Sequence, residues 1–197
     1  MNFLAHLVLA GAPAAPDYAD RLVGQFIADS VPGRQWERFG PGVQAGIRAH
    51  RAIDTFTDQH PVVRRSTARL RAAGYGKYAG VAADVFYDHF LAANFSAYSP
   101  GAELLAAFTE RVYALLAERE AEFPPAVQRF FPYLKTQNWL LSYAEISGIA
   151  RALHGLSRRA RPGSGLETAG EELARNHAAY RADFEEFWPA VIERMSE

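Results

Sequence analysis

The chain has no cysteine in its 197 residues. That absence removes disulfides, thiolate nucleophiles and thiolate-ligated zinc or iron–sulfur sites together, and it is compatible with a reducing cytosol. Excess charge is lacking too: the formal net charge is -1, so no global field draws the molecule to nucleic acid or to an anionic membrane. There is no apolar run near the roughly 20 residues that a membrane span needs. The segment from Met1 to Gly11 is apolar, but it is short, is interrupted by His6 and lacks a basic start. It reads as a buried first helix rather than a signal peptide, and the protein is expected to be soluble and cytoplasmic. No β-alternating run, repeat or low-complexity tract stands out. Strict catalytic motifs fail as well. Pro162-Gly163-Ser164-Gly165 is not a Gly-x-Ser-x-Gly elbow. Gly74-Tyr75-Gly76-Lys77 lacks the spacing of a phosphate-cradling loop, and His-Glu-x-x-His does not occur.

What the chain does contain is a globular composition, 49% hydrophobic and 13% aromatic, of a length that suits one helical domain over residues 1–197. Helix signals follow one another along it. Asp17 can cap a second helix bearing Leu22, Val23, Phe26 and Ile27, with Asp29 at its far end. Pro41 suits the first turn of a helix carrying His50, which should stop around Asp58 to His60 because Pro61 follows. Pro61 opens a basic helix, Gly74-Tyr75-Gly76 is a turn, and a long apolar helix runs from Tyr78 to about Phe95. Ser99-Pro100 reads as a cap and first-turn proline of a helix through Glu122. Aromatic residues cluster from Phe130 to Tyr143, a helix is expected from about Ser142 through Leu156, and the last helical stretch, Leu166 to Met195, should kink or end at Pro189. The expected fold class is an all-α helical bundle.

Two stretches carry chemistry. His50, Asp54 and Asp58 are spaced four apart, as are Asp84 and Asp88, so on helices each set lines one face. His6, Asp29 and His89 also lie in or beside apolar runs. Burying so many carboxylates without cations is costly, so they require pairing or a metal ion. Arg48 and Arg51 provide the salt-bridge alternative. Metal sites in helical bundles are built from side chains on facing helices. Imidazole nitrogen with several carboxylate oxygens suits manganese, magnesium or ferrous iron better than a closed zinc site. One ion or two are both compatible with the pattern.

At these residues the sequence resembles the acyl-carrier-protein phosphodiesterases, divergent relatives of the metal-dependent His-Asp phosphohydrolases. The matching segments are Met1-Asn2-Phe3-Leu4-Ala5-His6-Leu7, Gly24 with Ile27-Ala28-Asp29, Gly46-Ile47 with His50-Arg51, Ile53-Asp54, Thr57-Asp58, and Asp84-Val85 with Asp88-His89-Phe90-Leu91. A weaker echo runs through Trp139-Leu140, Tyr143 and Gly155 with Arg158-Arg159. Val8 stands where a second His is common in the family, and Gln25 where Asn is common. His60 lies outside the pattern and suits a capping or surface role.

The resemblance implies an HD-phosphohydrolase-like bundle that hydrolyses the bond joining 4'-phosphopantetheine to a serine of holo-acyl carrier protein. It implies a divalent metal, manganese before magnesium or ferrous iron, held by His6, Asp29, His50, Asp54, Asp88 and His89. Asp84 then serves as a further ligand or orients one. Asp58 positions water, protonates the leaving serine or caps the turn before Pro61. Arg51 is the candidate phosphate contact, with a salt bridge to Asp54 or Asp84 as its alternative. Carrier proteins of this kind are acidic, so two basic clusters are candidate docking patches: Arg64, Arg65, Arg69 and Arg71, and Arg158, Arg159 and Arg161.

Overall fold

The computed structural model describes residues 1–99 and 101–196, and among them there is no β-strand. A six-residue α1, Phe3–Val8, is followed by α2, Tyr18–Ile27, and by α3, Pro41–Gln59. Next come α4, Pro61–Ala72, and α5, Ala79–Ala93. The short α6, Phe95–Tyr98, precedes α7, Leu105–Glu118, and α8, Pro125–Thr136. A single turn, α9, Trp139–Ser142, leads to α10, Ile146–Ser157, then to α11, Ala169–Arg175, and α12, His177–Ser196. No helix among the described residues is long and apolar enough to cross a membrane.

Prolines mark the starts of α3 and α4 as their sequence positions suggest, and His60 caps α4 through its ring, whose Nδ1 accepts from the Val62 amide. Elsewhere the boundaries shift for identifiable reasons. The cap expected at Ser99-Pro100 involves Pro100, which lies outside the described residues. The helix beyond it begins only at Leu105, because Gly101 and Ala102 take positive φ values of 81° and 53°, which a right-handed helix cannot use. The helix expected from Ser142 is split, since Glu145 is extended and the chain folds back so tightly that Gly148 lies on the Ser142 carbonyl. The break in the last stretch falls at Asn176, whose side-chain amide donates to Glu172, and not at Pro189. Pro189 sits inside α12, where burial of Phe187, Trp188 and Val191 holds the helix together. Packing of an amphipathic face outweighs local propensity there.

The apolar α5 is the central rod. Phe86 and Tyr87 meet Tyr180, Phe184 and Phe187 of α12 edge-on or tilted. Its opposite side faces α1, and this side holds Asp84 and Asp88. The pair α2 and α3 crosses unusually closely because glycine meets glycine. A Cβ on Gly24 would lie 2.2 Å from the Val43 carbonyl oxygen, and one on Gly46 would lie 2.3 Å from that of Arg21.

Candidate metal centre

That close crossing places Gln25, next to Gly24, against His50 on α3. The Gln25 main-chain carbonyl accepts a hydrogen bond from His50 Nδ1 at 2.8 Å. Its side-chain Oε1 accepts one from His6 Nδ1 of α1 at 3.1 Å. One glutamine thus fixes both imidazoles, which stack at a centroid separation of 3.6 Å and an interplanar angle of 10°. Both rings present Nε2 to Asp54. His6 Nε2 is 3.1 Å from Asp54 Oδ1, and His50 Nε2 is 3.2 Å from Asp54 Oδ2 and 3.2 Å from Asp29 Oδ1. Ligand atoms of His6, His50 and Asp54 all lie within 4.8 Å of one another. His6 and His50 are buried, Asp54 is half-buried and Asp29 is exposed at the rim.

The tautomers give this arrangement its meaning. With both Nδ1–H bonds spent on Gln25, a neutral imidazole presents a lone pair at Nε2. For His6 that lone pair would face the Asp54 carboxylate and, at 3.2 Å, the Met1 carbonyl oxygen. Acceptors converging on one point need a proton or a cation between them. Burial and the neighbouring His50 pull His6 down to about 4, against the Asp54 hydrogen bond. Burial also acts to lower His50, but the Asp29 and Asp54 carboxylates outweigh it and hold this ring at about 9. Burial would raise Asp54, yet both histidines and the Met1 α-amino group keep it far below the usual carboxylate range. The carboxylates thus favour the charged form of His50, and burial favours the neutral form of His6. The donor set, two oriented imidazole nitrogens and one or two carboxylates, suits a divalent ion, and the outward hydrogen bonds from Nδ1 are the usual support for histidine ligands.

The other sequence-derived candidates fall around this group. Asp84 is half-buried, 3.0 Å from the Met1 α-amino group, which also lies 3.4 Å from Asp54. Asp88, one turn on, is fully buried and accepts from the Leu4 and Ala5 amides at 2.7 and 3.1 Å. It caps α1 from a distance, satisfying amides that a helix start leaves open. Burial pushes Asp88 up to about 7, against the pull of those amides. His89 is bonded elsewhere: its Nδ1 donates to the Tyr143 carbonyl at 2.9 Å and its Nε2 lies 3.3 Å from His177 Nε2. Asp58 is exposed one turn after Asp54. Arg51 donates to the Val31 carbonyl at 2.7 Å and so ties α3 to the turn that carries Asp29.

The two basic clusters differ. Arg65 and Arg69 are bound to Asp183 at 2.6 and 2.8 Å, and Arg65 also to Glu186 at 2.5 Å. Arg64 reaches the Asp58 carbonyl, and Arg71 reaches Thr67. Arg158 and Arg159 are exposed and form no ion pair among the described residues, although Arg159 lies over the Phe130 ring. Gln25 and His177 were not singled out by spacing. An uncharged amide on an apolar helix gives no signal until its partner histidines are placed in space, and His177 lies 88 residues from His89.

Comparison with known proteins identifies the family. A family profile described as acyl carrier protein phosphodiesterase matches residues 1–191. A protein of Photorhabdus laumondii named acyl carrier protein phosphodiesterase is 33% identical over 194 residues, covering 98% of this chain and 94% of that one. Proteins of the same name from Serratia proteamaculans and Escherichia coli O157:H7 are 30% and 33% identical, each covering 100% of this chain and 98% of its own. No solved structure matches. With a profile match over residues 1–191 and similarity along almost its whole length, the chain belongs to the acyl carrier protein phosphodiesterase family.

Proposed function

We propose that this protein hydrolyses the phosphodiester joining 4'-phosphopantetheine to the serine of holo-acyl carrier protein, releasing apo-acyl carrier protein, and that it does so with a divalent cation. The observation that carries the metal dependence is the convergence of His6 Nε2, His50 Nε2 and Asp54, with both rings locked from behind by Gln25. Asp29, bonded to His50 from the rim, is the fourth ligand in this reading. Manganese suits the nitrogen–oxygen donor set best, with magnesium or ferrous iron as alternatives. Bound there, such an ion would lower the pKa of a water and offset charge on the phosphoryl oxygens.

The chain's own residues do the rest. Asp84 and the exposed Asp58 are the acid–base candidates: they lie on the side of Asp54 where the α-amino group of Met1 meets two carboxylates, and Asp58 adds to the charge felt by Asp84. Asp88 and His89 act as supports, the first by fixing α1 and hence His6. Arg51 holds the Asp29 turn with one guanidinium nitrogen, and the rest of its fork, free of ion pairs among the described residues, is the candidate phosphate contact. Docking of an acidic carrier protein falls to Arg158 and Arg159, since Arg65 and Arg69 are already engaged by carboxylates.

The test is incubation of manganese-loaded protein with holo-acyl carrier protein, followed by intact-mass measurement of the carrier. Loss of the whole 4'-phosphopantetheine arm is expected. An unchanged carrier mass, with a small phosphoester turned over instead, would reassign the substrate. No thermal stabilisation by manganese would remove the metal from the reading.

A further inference from the structure

Beside the metal centre lies a cavity of about 330 Å³, and Asn2, Asp29 and Ser30 form the part of its wall that adjoins the centre. Phe3, Phe26, Phe130 and Trp139 supply an apolar wall, and the α10 face supplies Arg151, Ala152, Gly155 and Leu156. The volume is within the range of small-molecule sites. Two glycines of α10 border it, for opposite reasons. A Cβ on Gly148 would lie 1.9 Å from the Ser142 carbonyl oxygen, so packing demands glycine there. A Cβ on Gly155 would meet nothing within 4 Å. Gly155 is inside a helix, where glycine is the poorest former after proline, and neither positive φ nor crowding accounts for it. Its effect is to leave room.

We infer that this cavity receives the pantetheine arm of the substrate, with the phosphodiester at the Asp29 end and the arm lying along the α10 face past Gly155. The inference rests on the carrier-protein reading above. A pantetheine arm carries a branched dimethyl segment next to its phosphate end, then two amides and a thiol. The aromatic wall of Phe3, Phe26 and Phe130 matches the dimethyl segment. Gln137, which accepts from Trp139 Nε1 at 3.0 Å and keeps its own amide N–H groups, faces the same space as a donor for an amide carbonyl. Arg151 is exposed on this wall and forms no ion pair among the described residues, so a cationic donor is available there without breaking an internal contact.

Two substitutions fill the cavity: Gly155→Leu, which replaces a poor helix former on an open face, and Ala152→Phe. Each is first checked for an unchanged helical spectrum and melting temperature. Titration calorimetry with pantetheine, which has neither phosphate nor protein attached, should show saturable binding to the wild type. Either filled variant should bind at least tenfold more weakly, and its KM for holo-acyl carrier protein should rise by a similar factor. Equal pantetheine affinity in wild type and Gly155→Leu would overturn the inference, as would wild-type protein that does not bind pantetheine. If wild type cleaves holo-acyl carrier protein and the filled variants do so with unchanged KM, the cavity assignment fails while the proposed reaction stands. If wild type leaves the carrier intact yet binds pantetheine at the filled site, the reaction fails and the cavity assignment stands.

Discussion

Two aspartates at the meeting of several helices, Asp183 and Asp54, have partners that differ in kind. Asp183 of α12 is 2% exposed and is surrounded by Ser66, Arg65 and Arg69. Every cation it needs is covalently part of the fold, and its oxygens are fully engaged. Asp54 has two imidazoles, the Met1 α-amino group at 3.4 Å and no arginine. A guanidinium is always charged and closes an ion pair permanently. An imidazole exchanges its proton near neutral pH and can give the same lone pair to a metal. The first centre is therefore a clasp between α4 and α12, and the second is a group that could hold a metal ion. Acidic residues in an apolar helical protein are informative only once the identity of their counter-charges is known.

The sharpest way to break this comparison is to delete one residue of each centre. His50→Ala should lower kcat/KM for holo-acyl carrier protein by roughly a thousandfold, the several kcal/mol of charge stabilisation a metal supplies, and abolish stabilisation by manganese. Asp183→Asn should leave kcat/KM unchanged but cost about 2 kcal/mol of stability, the loss of charge-assisted bonds discounted for the half-exposed Arg65. At this chain length that lowers the melting temperature by roughly 4–8 °C. A catalytic defect in the Asp183→Asn protein, or a purely structural one in His50→Ala, would collapse the distinction.

A subtler expectation concerns protons. His50 is held at about 9 by Asp29 and Asp54 against burial, whereas His6 is down at about 4. Below pH 9 a metal entering at His50 must displace one proton, and His6 has none to give. Manganese affinity should therefore rise about tenfold per pH unit between pH 7 and 9 and level off above. Calorimetry in buffers of different ionisation enthalpy should report about one proton released per ion. Release of no proton at pH 7 would mean that the two centres are more alike than their partners suggest. The smallest effect belongs to Gln25→Ala, which leaves the His50 anchor in the backbone but removes that of His6. Supports of this kind are worth roughly 10–100-fold in metal affinity, and the lower end is expected, because Asp54 still orients the ring. Unchanged affinity would show that Gln25 is only a packing residue.

Much of this was readable from residue order, and the rest was not for definite reasons. Helix starts at Pro41 and Pro61 are local signals and needed no tertiary information. The pairing of His50 with Asp54 follows from helical repeat alone, because both lie on one turn-to-turn ridge of α3. Asp84 and Asp88 share a ridge in the same way, yet their fates diverge within one turn: Asp84 meets an α-amino group and Asp88 the amides of α1. Which cation or amide a carboxylate meets depends on a helix more than 80 residues distant, and no periodicity encodes that. His89, one residue further, is turned by about 100° around the helix and is bonded to Tyr143 and His177. Adjacency in sequence is a poor guide to sharing a site on a helix. The arginine runs show the same limit: Arg65 and Arg69 look like Arg158 and Arg159 as text, and only the position of Asp183 separates a clasp from a free surface.

The glycine-on-glycine crossing of α2 and α3 has a consequence for how this centre tolerates change. The distance from the Gln25 carbonyl to His50 is set by two bare backbones in contact, so there is no side chain at the crossing to adjust. Substitution elsewhere in the bundle can be absorbed by rotamers. A methyl group at Gly24 or Gly46 would instead act as a shim, moving one helix bodily and widening the gap between the ligands with it. The gauge of the candidate metal centre is thus written at two positions outside the His6, His50 and Asp54 group.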